Sequence, residues 1–106
     1  MNIKDTPNFL RELKKLAKKY PSIINDVMQL ILRLEENPHL GDALSPNCFK
    51  VRMAISAKKK GKSGGARVIT YIKIEHDTIY LLSIYDKSEK TNISDKEINA
   101  IISDID

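Results

Sequence analysis

The sequence predicts an α+β domain in which a helical hairpin packs on a small antiparallel sheet and a short helix follows at the C-terminus. Three observations support this fold class. Apolar residues recur at helical spacing in two stretches before residue 38, the period changes to two from residue 49, and helical spacing returns near the end. The chain has 106 residues, 42% hydrophobic and 30% charged, which fits one domain over residues 1–106.

The first two elements form the predicted helical hairpin. Thr6 followed by Pro7 is typical of a helix start, because Thr can cap free amides and Pro fits the first helical position. The apolar face of this helix is Phe9, Leu13, Leu16, Ala17 and Tyr20. Ser22 is expected to cap the second helix, which ends near Asn37 and leads into a polar loop over residues 39–46. The apolar stripe of the second helix is Ile24, Val27, Met28, Ile31 and Leu34.

Three β-rich segments predict the sheet. Apolar and polar side chains alternate over residues 49–56, so that Lys50 and Arg52 share the polar face of a half-buried strand. Residues 66–74 and 78–85 are expected to pair as a hairpin. Because apolar residues occupy both alternating faces of these two segments, we expect the sheet to be covered on both sides.

A short helix is predicted to close the chain. Ser94 and Glu97 have capping-box spacing. The apolar residues that follow repeat at i, i+3, i+4 and i+7, and they are Ile98, Ile101, Ile102 and Ile105. The spacing therefore predicts a helix with one apolar face.

Several classes of protein do not fit the sequence. No apolar run reaches the roughly 18 to 20 residues of a membrane helix, and no secretory signal is visible, so we expect a cytoplasmic protein. The single cysteine, Cys48, cannot form an intrachain disulfide and has no expected catalytic role. His39 and His76 fall in separate loops, so neither paired histidine catalysis nor a metal site is expected.

The positive charge is concentrated in one segment. The net charge is +4, but residues 50–67 contain seven Lys or Arg residues and no acidic residue. Such a segment generates a local positive potential suited to phosphate. Nucleic acid is therefore the leading class of partner, bound first of all through its backbone.

A near match to a nucleotide-binding loop lies in this segment. Residues 56–63 differ from the Walker A pattern only by Ser56 in place of the first glycine. A phosphate loop needs that glycine and must open directly into a helix, whereas Gly64-Gly65 and a β-type run follow here. We therefore expect a basic hairpin loop, flanked by Arg52 and Arg67, rather than an NTPase.

Clustered Lys, Arg and Tyr side chains can cleave RNA as well as bind it. Cleavage requires a base for the ribose 2′-OH, charge stabilisation at the adjacent phosphate and an acid for the leaving 5′-oxygen. Arg52 and Arg67 suit charge stabilisation, because arginine stays protonated and grips a phosphate at two points. Neighbouring positive charges and partial burial can lower the pKa of a lysine towards that of a useful base.

The pairing of the last two strands decides what faces Arg67. A two-residue turn at His76-Asp77 would place Arg67 opposite Asp86 as an ion pair. A slip by one residue would bring Tyr85 or Lys87 to its side instead. Both registers remain open from the sequence.

Four segments of the chain resemble the RelE/ParE superfamily of bacterial toxins, and most closely its HigB-like, RelE-type members. They are Phe49-Lys50-Val51-Arg52, the Lys/Gly loop after it, residues 64–71 and residues 80–89. The resemblance implies a RelE-like microbial RNase-type fold. It also implies a type II toxin that cuts mRNA in the decoding site of the ribosome without a metal or cofactor, and that binds a cognate antitoxin.

The resemblance also implies the site residues. The catalytic candidates are Lys58, Lys60 and Lys62 of the loop, Arg67 of the next strand, and Tyr85 and Lys87 at the end of the last strand. Arg52 is a supporting phosphate contact, and Lys50 and Lys59 are further expected RNA contacts. Two alternatives remain: a ParE-like protein that inhibits DNA gyrase without nuclease activity, and a basic RNA-binding module.

Overall fold

A computed structural model describes residues 1–105 of the chain. Its strands are β1 (Asn2–Asp5), β2 (Asp42–Ser45), β3 (Cys48–Met53), β4 (Ala66–Lys73) and β5 (Thr78–Asp86). Its α-helices are α1 (Pro7–Lys19), α2 (Ile23–Glu36) and α3 (Asp95–Ser103). The predicted α+β class is confirmed. None of the helices within residues 1–105 has the length and apolar character needed to cross a membrane.

The strands form one sheet in the order β1-β5-β4-β3-β2. The predicted antiparallel strands β3, β4 and β5 are its centre, and β1 adds a parallel edge beside β5. The sequence pattern predicts neither β1 nor β2, and it indicates a loop for the segment that contains β2. Both edge strands have four residues and are mostly exposed, so their sequences lack the apolar alternation that marks a buried strand.

The helical hairpin covers one face of the sheet. Thr6 caps α1 as predicted, since its side chain accepts a hydrogen bond from the Phe9 amide at 3.2 Å. The predicted cap of α2 is wrong, because Ser22 has a helical backbone and its side chain caps nothing.

The apolar stripe of α2 is also displaced from the prediction. The buried residues of this helix are Ile23, Val27, Leu30 and Leu34. Ile24 and Met28 are instead 44% and 59% exposed. Ile23-Ile24 and Val27-Met28 are adjacent apolar pairs, so either member could face the sheet, and the first of each pair belongs to the buried core.

The other face of the sheet is covered by α3. Ile93 and Ile98 pack there against Cys48, Ile69 and Leu82. The capping box at the start of α3 is present as predicted, with both Ser94 and Glu97 hydrogen bonds formed. The sheet is therefore covered on both sides, as the apolar pattern of its central strands indicates.

Candidate functional site

Three predicted site residues lie side by side across the central strands. Arg52 of β3 is opposite Arg67 of β4, and Arg67 is opposite Tyr85 of β5. We call these three residues the cross-strand row. Neighbouring strands lie about 4.8 Å apart, so the row spans about 10 Å between its outer backbones.

The cross-strand row lies on the face of the sheet that α3 covers. Side chains alternate between the two faces along a strand. Ile69 and Tyr85 pack in the apolar cluster with Ile98, whereas Val68 and Ile84 pack on the side of the helical hairpin. Arg67 shares the face of Ile69, so Arg67 and Tyr85 both point towards the side of α3.

The observed register settles the two alternatives for Arg67. The structure pairs it with Tyr85 and excludes the alternative Arg67–Asp86 ion pair, because Asp86 lies opposite Ala66. The turn between β4 and β5 is longer than two residues, since Lys73 pairs with Thr78, and a bulge between Ile69 and Thr70 then shifts the register by one residue, from Ile84 to Tyr85. A bulge inserts one unpaired residue and changes which side chains meet beyond it.

Arg67 is a buried guanidinium that holds the adjacent loop. It is 6% exposed. It donates hydrogen bonds to the backbone carbonyls of Lys62 at 3.0 Å, Ala66 at 3.1 Å and Ser63 at 3.4 Å. Because the Lys62 and Ser63 carbonyls belong to the loop between β3 and β4, Arg67 fixes the position of that loop relative to the cross-strand row.

Tyr85 contributes a buried hydroxyl without a hydrogen-bond partner among residues 1–105. Burial raises the pKa of the Tyr85 phenol above its ordinary value, although the nearby charges of Arg67 and Lys90 act to lower it. The Lys90 ammonium lies 5.6 Å from the centre of the Tyr85 ring. The phenol is therefore a neutral group at pH 7, able to donate a proton.

Lys58 is separated from the cross-strand row by a buried ion pair. Its ammonium lies 2.9 Å from Asp86, and the two side chains are 8% and 0% exposed. Asp86 follows Tyr85 in β5 and so points to the opposite face of the sheet. Burial alone would raise the pKa of Asp86, but hydrogen bonds from Lys58 and Ser88 outweigh it and hold the pKa below its ordinary value.

The other predicted lysines are exposed. The basic loop, which we define as residues 57–65, carries Lys59, Lys60 and Lys62 on the surface. A Cβ at Gly65 would lie 2.2 Å from the carbonyl oxygen of Met53, so only glycine allows the loop to rejoin the sheet this closely. Lys87 is exposed beyond β5, and its amide donates to the Gly65 carbonyl at 3.0 Å.

A cationic cavity of about 200 Å³ lies beside Arg52. Its lining includes Lys50, Arg52 and Lys62, and also Arg33 from α2, which sequence reasoning missed. We call it the Arg33 cavity. Arg33 lies in the last turn of a surface helix, where a basic residue is ordinary. No local spacing in the sequence signals that it meets residues of β3 and the basic loop.

His76 and Cys48, which have no expected catalytic role, lie outside the cross-strand row and the lining of the Arg33 cavity. His76 hydrogen-bonds to Tyr80 near the opposite end of the β4–β5 hairpin from Arg67. Burial and the charge of Asp95 raise the pKa of the Cys48 thiol, which disfavours the reactive thiolate. Among residues 1–105, no three His, Cys, Asp or Glu side chains are grouped as they would be around a metal ion.

Comparison with known proteins identifies the family. The family described as "RelE toxin of RelE / RelB toxin-antitoxin system" matches residues 9–103. A double arginine-to-alanine mutant of E. coli RelE in the free state has a TM-score of 0.61 at 13% identity, over 98% of this chain and 96% of that chain. The isolated E. coli RelE toxin has a TM-score of 0.61 at 15% identity, over 96% of each chain. Since the family match spans most of the sequence and the fold agrees with it, the chain belongs to the RelE family of toxins from toxin–antitoxin systems.

Proposed function

We propose that this chain is the toxin of a type II toxin–antitoxin system and that it cleaves mRNA on the ribosome. The cleavage is attack of a ribose 2′-OH on the adjacent phosphate, which breaks the bond to the 5′-oxygen of the next nucleotide. The observation that carries the proposal is the cross-strand row, in which two arginines and a tyrosine are adjacent on three strands. This set supplies both charge stabilisation and an acid.

Arg52 is the phosphate-binding group of the row in this proposal. Its side chain is exposed, whereas the guanidinium of Arg67 is buried against the loop carbonyls. A guanidinium can hold two phosphate oxygens as negative charge develops in the transition state. Arg67 fixes the basic loop beside Arg52 and adds its positive charge to the same region.

Tyr85 is the proton donor to the leaving 5′-oxygen. Its raised pKa keeps the phenol protonated at neutral pH, as an acid catalyst requires. The hydroxyl is buried and unpaired, so the residues that cover it must move before an RNA strand reaches it. A substrate oxygen would then provide the hydrogen-bond partner that the free chain lacks.

We propose that the general base is a lysine of the basic loop whose side-chain amine has no hydrogen-bond or ion-pair partner among residues 1–105. Lys60 and Lys62 are exposed and form no side-chain hydrogen bond or ion pair within residues 1–105. Lys58 is held by Asp86 and Ser88, and it reaches a 2′-OH only after that ion pair opens. Lys87, beyond the end of β5, is proposed as a further phosphate contact, and Lys59 as another.

An acidic antitoxin segment is the proposed regulator, acting in the cytoplasm. The basic loop and the Arg33 cavity attract acidic residues. A groove of about 1060 Å³ between α1 and α2 offers an apolar surface around Leu10 and Ile24, with Lys14 and Lys18 at its rim. An amphipathic acidic helix complements both features, and a complex whose affinity did not change with salt would contradict this assignment.

Inducible expression in bacteria, with primer extension on abundant mRNAs, tests the proposed activity. The wild type is compared with Arg52→Ala and Arg67→Ala, and antitoxin binding reports folding. Growth arrest with new cuts inside translated codons, lost in both variants, supports ribosome-linked cleavage by this site. Arrest with intact mRNA would move the target to gyrase or another protein, and cuts that persist in both variants would overturn the proposed site.

A further inference from the structure

The Arg33 cavity brings cations from three separate parts of the chain together. Arg33 belongs to α2, Lys50 and Arg52 to β3, and Lys62 to the basic loop. Asp42, at the start of β2, is the one acidic residue of the lining. The formal charge of these five side chains is therefore strongly positive, and the lining contains no aromatic ring against which a base could stack.

The backbone around Gly41 accounts for this convergence. Gly41 has a φ of +99°, and a Cβ there would lie 2.5 Å from the carbonyl oxygen of Lys50. The chain after α2 can thus turn directly onto the edge of β3, where Asp42 pairs with Lys50 across the strands. This turn keeps the end of α2, and with it Arg33, close to β3.

The positive charges of the cavity are not neutralised within the protein. Across residues 1–105, no salt bridge joins Arg33, Lys50, Arg52 or Lys62 to a carboxylate, and Asp42 accepts no salt bridge from Lys50. Like charges around one concave surface repel one another and focus a positive potential into it. An anion held there relieves that repulsion.

The structure assigns the Arg33 cavity to a second phosphodiester of the bound RNA strand, next to the one at the cross-strand row. This inference rests on the proposed function, which places the scissile phosphate at the row. Arg52 belongs to both the row and the cavity, so a strand lying across the row continues into the cavity at the edge of the sheet. A charged polar cavity without aromatic residues suits a phosphate better than a base.

Binding of a short RNA tests the assignment. The probe is a fluorescent single-stranded RNA hexamer that is 2′-O-methylated throughout and therefore cannot be cleaved. We expect Arg33→Gln to weaken its binding roughly tenfold at low salt and to lower the slope of log K against log salt by about one. The matched control is Arg11→Gln, which removes an exposed arginine of α1 outside the cavity and should bind like the wild type.

Single phosphates of the hexamer are then replaced by uncharged methylphosphonates. We expect one position at which neutralisation weakens binding to the wild type and to Arg11→Gln but not to Arg33→Gln. Competition by inorganic phosphate at millimolar concentration that occurs with the wild type and Arg11→Gln but is lost in Arg33→Gln would show a free-anion site and overturn the assignment to RNA. An Arg33→Gln variant that binds like the wild type would also overturn it.

Failure of this inference is distinguishable from failure of the proposed function. If Arg33→Gln binds RNA normally while Arg52→Ala and Arg67→Ala abolish mRNA cleavage, the second phosphate site is wrong and the nuclease stands. If mRNA cuts persist in both row variants, the proposed function is wrong whatever the hexamer shows. A hexamer that does not bind the wild type at low salt would count against the cavity alone.

Discussion

Arg67 lies directly opposite Tyr85 on adjacent antiparallel strands, with the guanidinium turned towards the basic loop and the phenol buried without a partner. This pairing places a permanently charged guanidinium next to a neutral phenol at one end of the sheet. Arg67 already donates to three carbonyl oxygens, whereas Tyr85 retains an unused donor. The two residues should therefore respond differently to substitution.

Replacing Tyr85 by Phe should reduce mRNA cleavage without lowering the stability of the fold. The change removes a buried hydroxyl that has no hydrogen-bond partner, so the free energy of unfolding should stay the same or rise by up to about 1 kcal/mol. If Tyr85 is the acid, mRNA cleavage should fall by about a hundredfold or more. Chemical denaturation and cleavage on isolated ribosomes measure the two effects.

Tyr80→Phe is the matched control for this change. Tyr80 lies in the same strand, but its hydroxyl is hydrogen-bonded to His76 at 2.7 Å and is remote from the cross-strand row. Cleavage by Tyr80→Phe should equal that of the wild type. Equal cleavage by Tyr85→Phe would show that Tyr85 is not the acid.

Arg67→Ala should loosen the basic loop as well as reduce cleavage. It removes the hydrogen bonds to the carbonyls of Lys62 and Ser63, which hold the loop against β4. We expect faster hydrogen exchange at the Gly65 amide, which donates to Lys62 at 3.4 Å, with little change in the centre of β5. Unchanged exchange at Gly65 would mean that other contacts position the loop.

Breaking the Lys58–Asp86 pair should destabilise the fold. Lys58→Ala leaves a buried carboxylate, one of whose oxygens already has no partner, and should cost about 3 kcal/mol of unfolding free energy. Lys59→Ala, at the neighbouring exposed position, should cost little. Urea denaturation of both variants measures the difference, and equal stabilities would refute a structural role for the pair.

The double variant Lys58→Ala/Asp86→Ala shows whether Lys58 also acts in catalysis. Removing both charges should cost less than the sum of the single changes, because neither charge is then left buried alone. If the refolded double variant cleaves mRNA, the role of Lys58 is structural. If it is stable and inactive while Asp86→Ala retains activity, Lys58 contributes to the reaction.

Asp86 should make stability fall in acid. Its folded pKa is below the ordinary value, so ionised Asp86 stabilises the fold at pH values above the ordinary carboxyl pKa of about 3.9. This contribution disappears as the pH falls from there through the lower folded pKa. The stability difference between wild type and Asp86→Asn should narrow over this range, and a difference that is constant from pH 7 to pH 2 would contradict the linkage.

Sequence reasoning succeeded where a local pattern reports a local structure. Thr6-Pro7 and the Ser94 capping box mark helix starts through contacts within four residues, and the alternation over residues 49–56 marks β3. The RelE resemblance, carried by residues near Arg67, agrees with the family match and the fold. The site roles remain predictions to be tested by the variants above.

What the sequence did not show depends on long-range packing. The turn between β4 and β5 is longer than two residues, because Lys73 pairs with Thr78, and this excludes Asp86 as the neighbour of Arg67. The bulge at Ile69 and Thr70, which no turn residue marks, then places Tyr85 rather than Ile84 opposite Arg67. Arg33 reaches the cationic cavity only because Gly41 folds the chain back onto β3. Neither relationship can be read from the spacing of neighbouring residues.

Because β1 pairs with β5, β1 can join the sheet only after β5 has been synthesised. Asn2–Asp5 is made before the other four strands of the sheet, whereas the strand that pairs with it, Thr78–Asp86, is made after them. A growing chain that stops between residues 66 and 77 contains the basic loop but lacks Tyr85 and the strand that pairs with β1. Products terminated in that interval therefore carry a cationic segment without an assembled cross-strand row, and the complete row exists only in chains that extend through Tyr85.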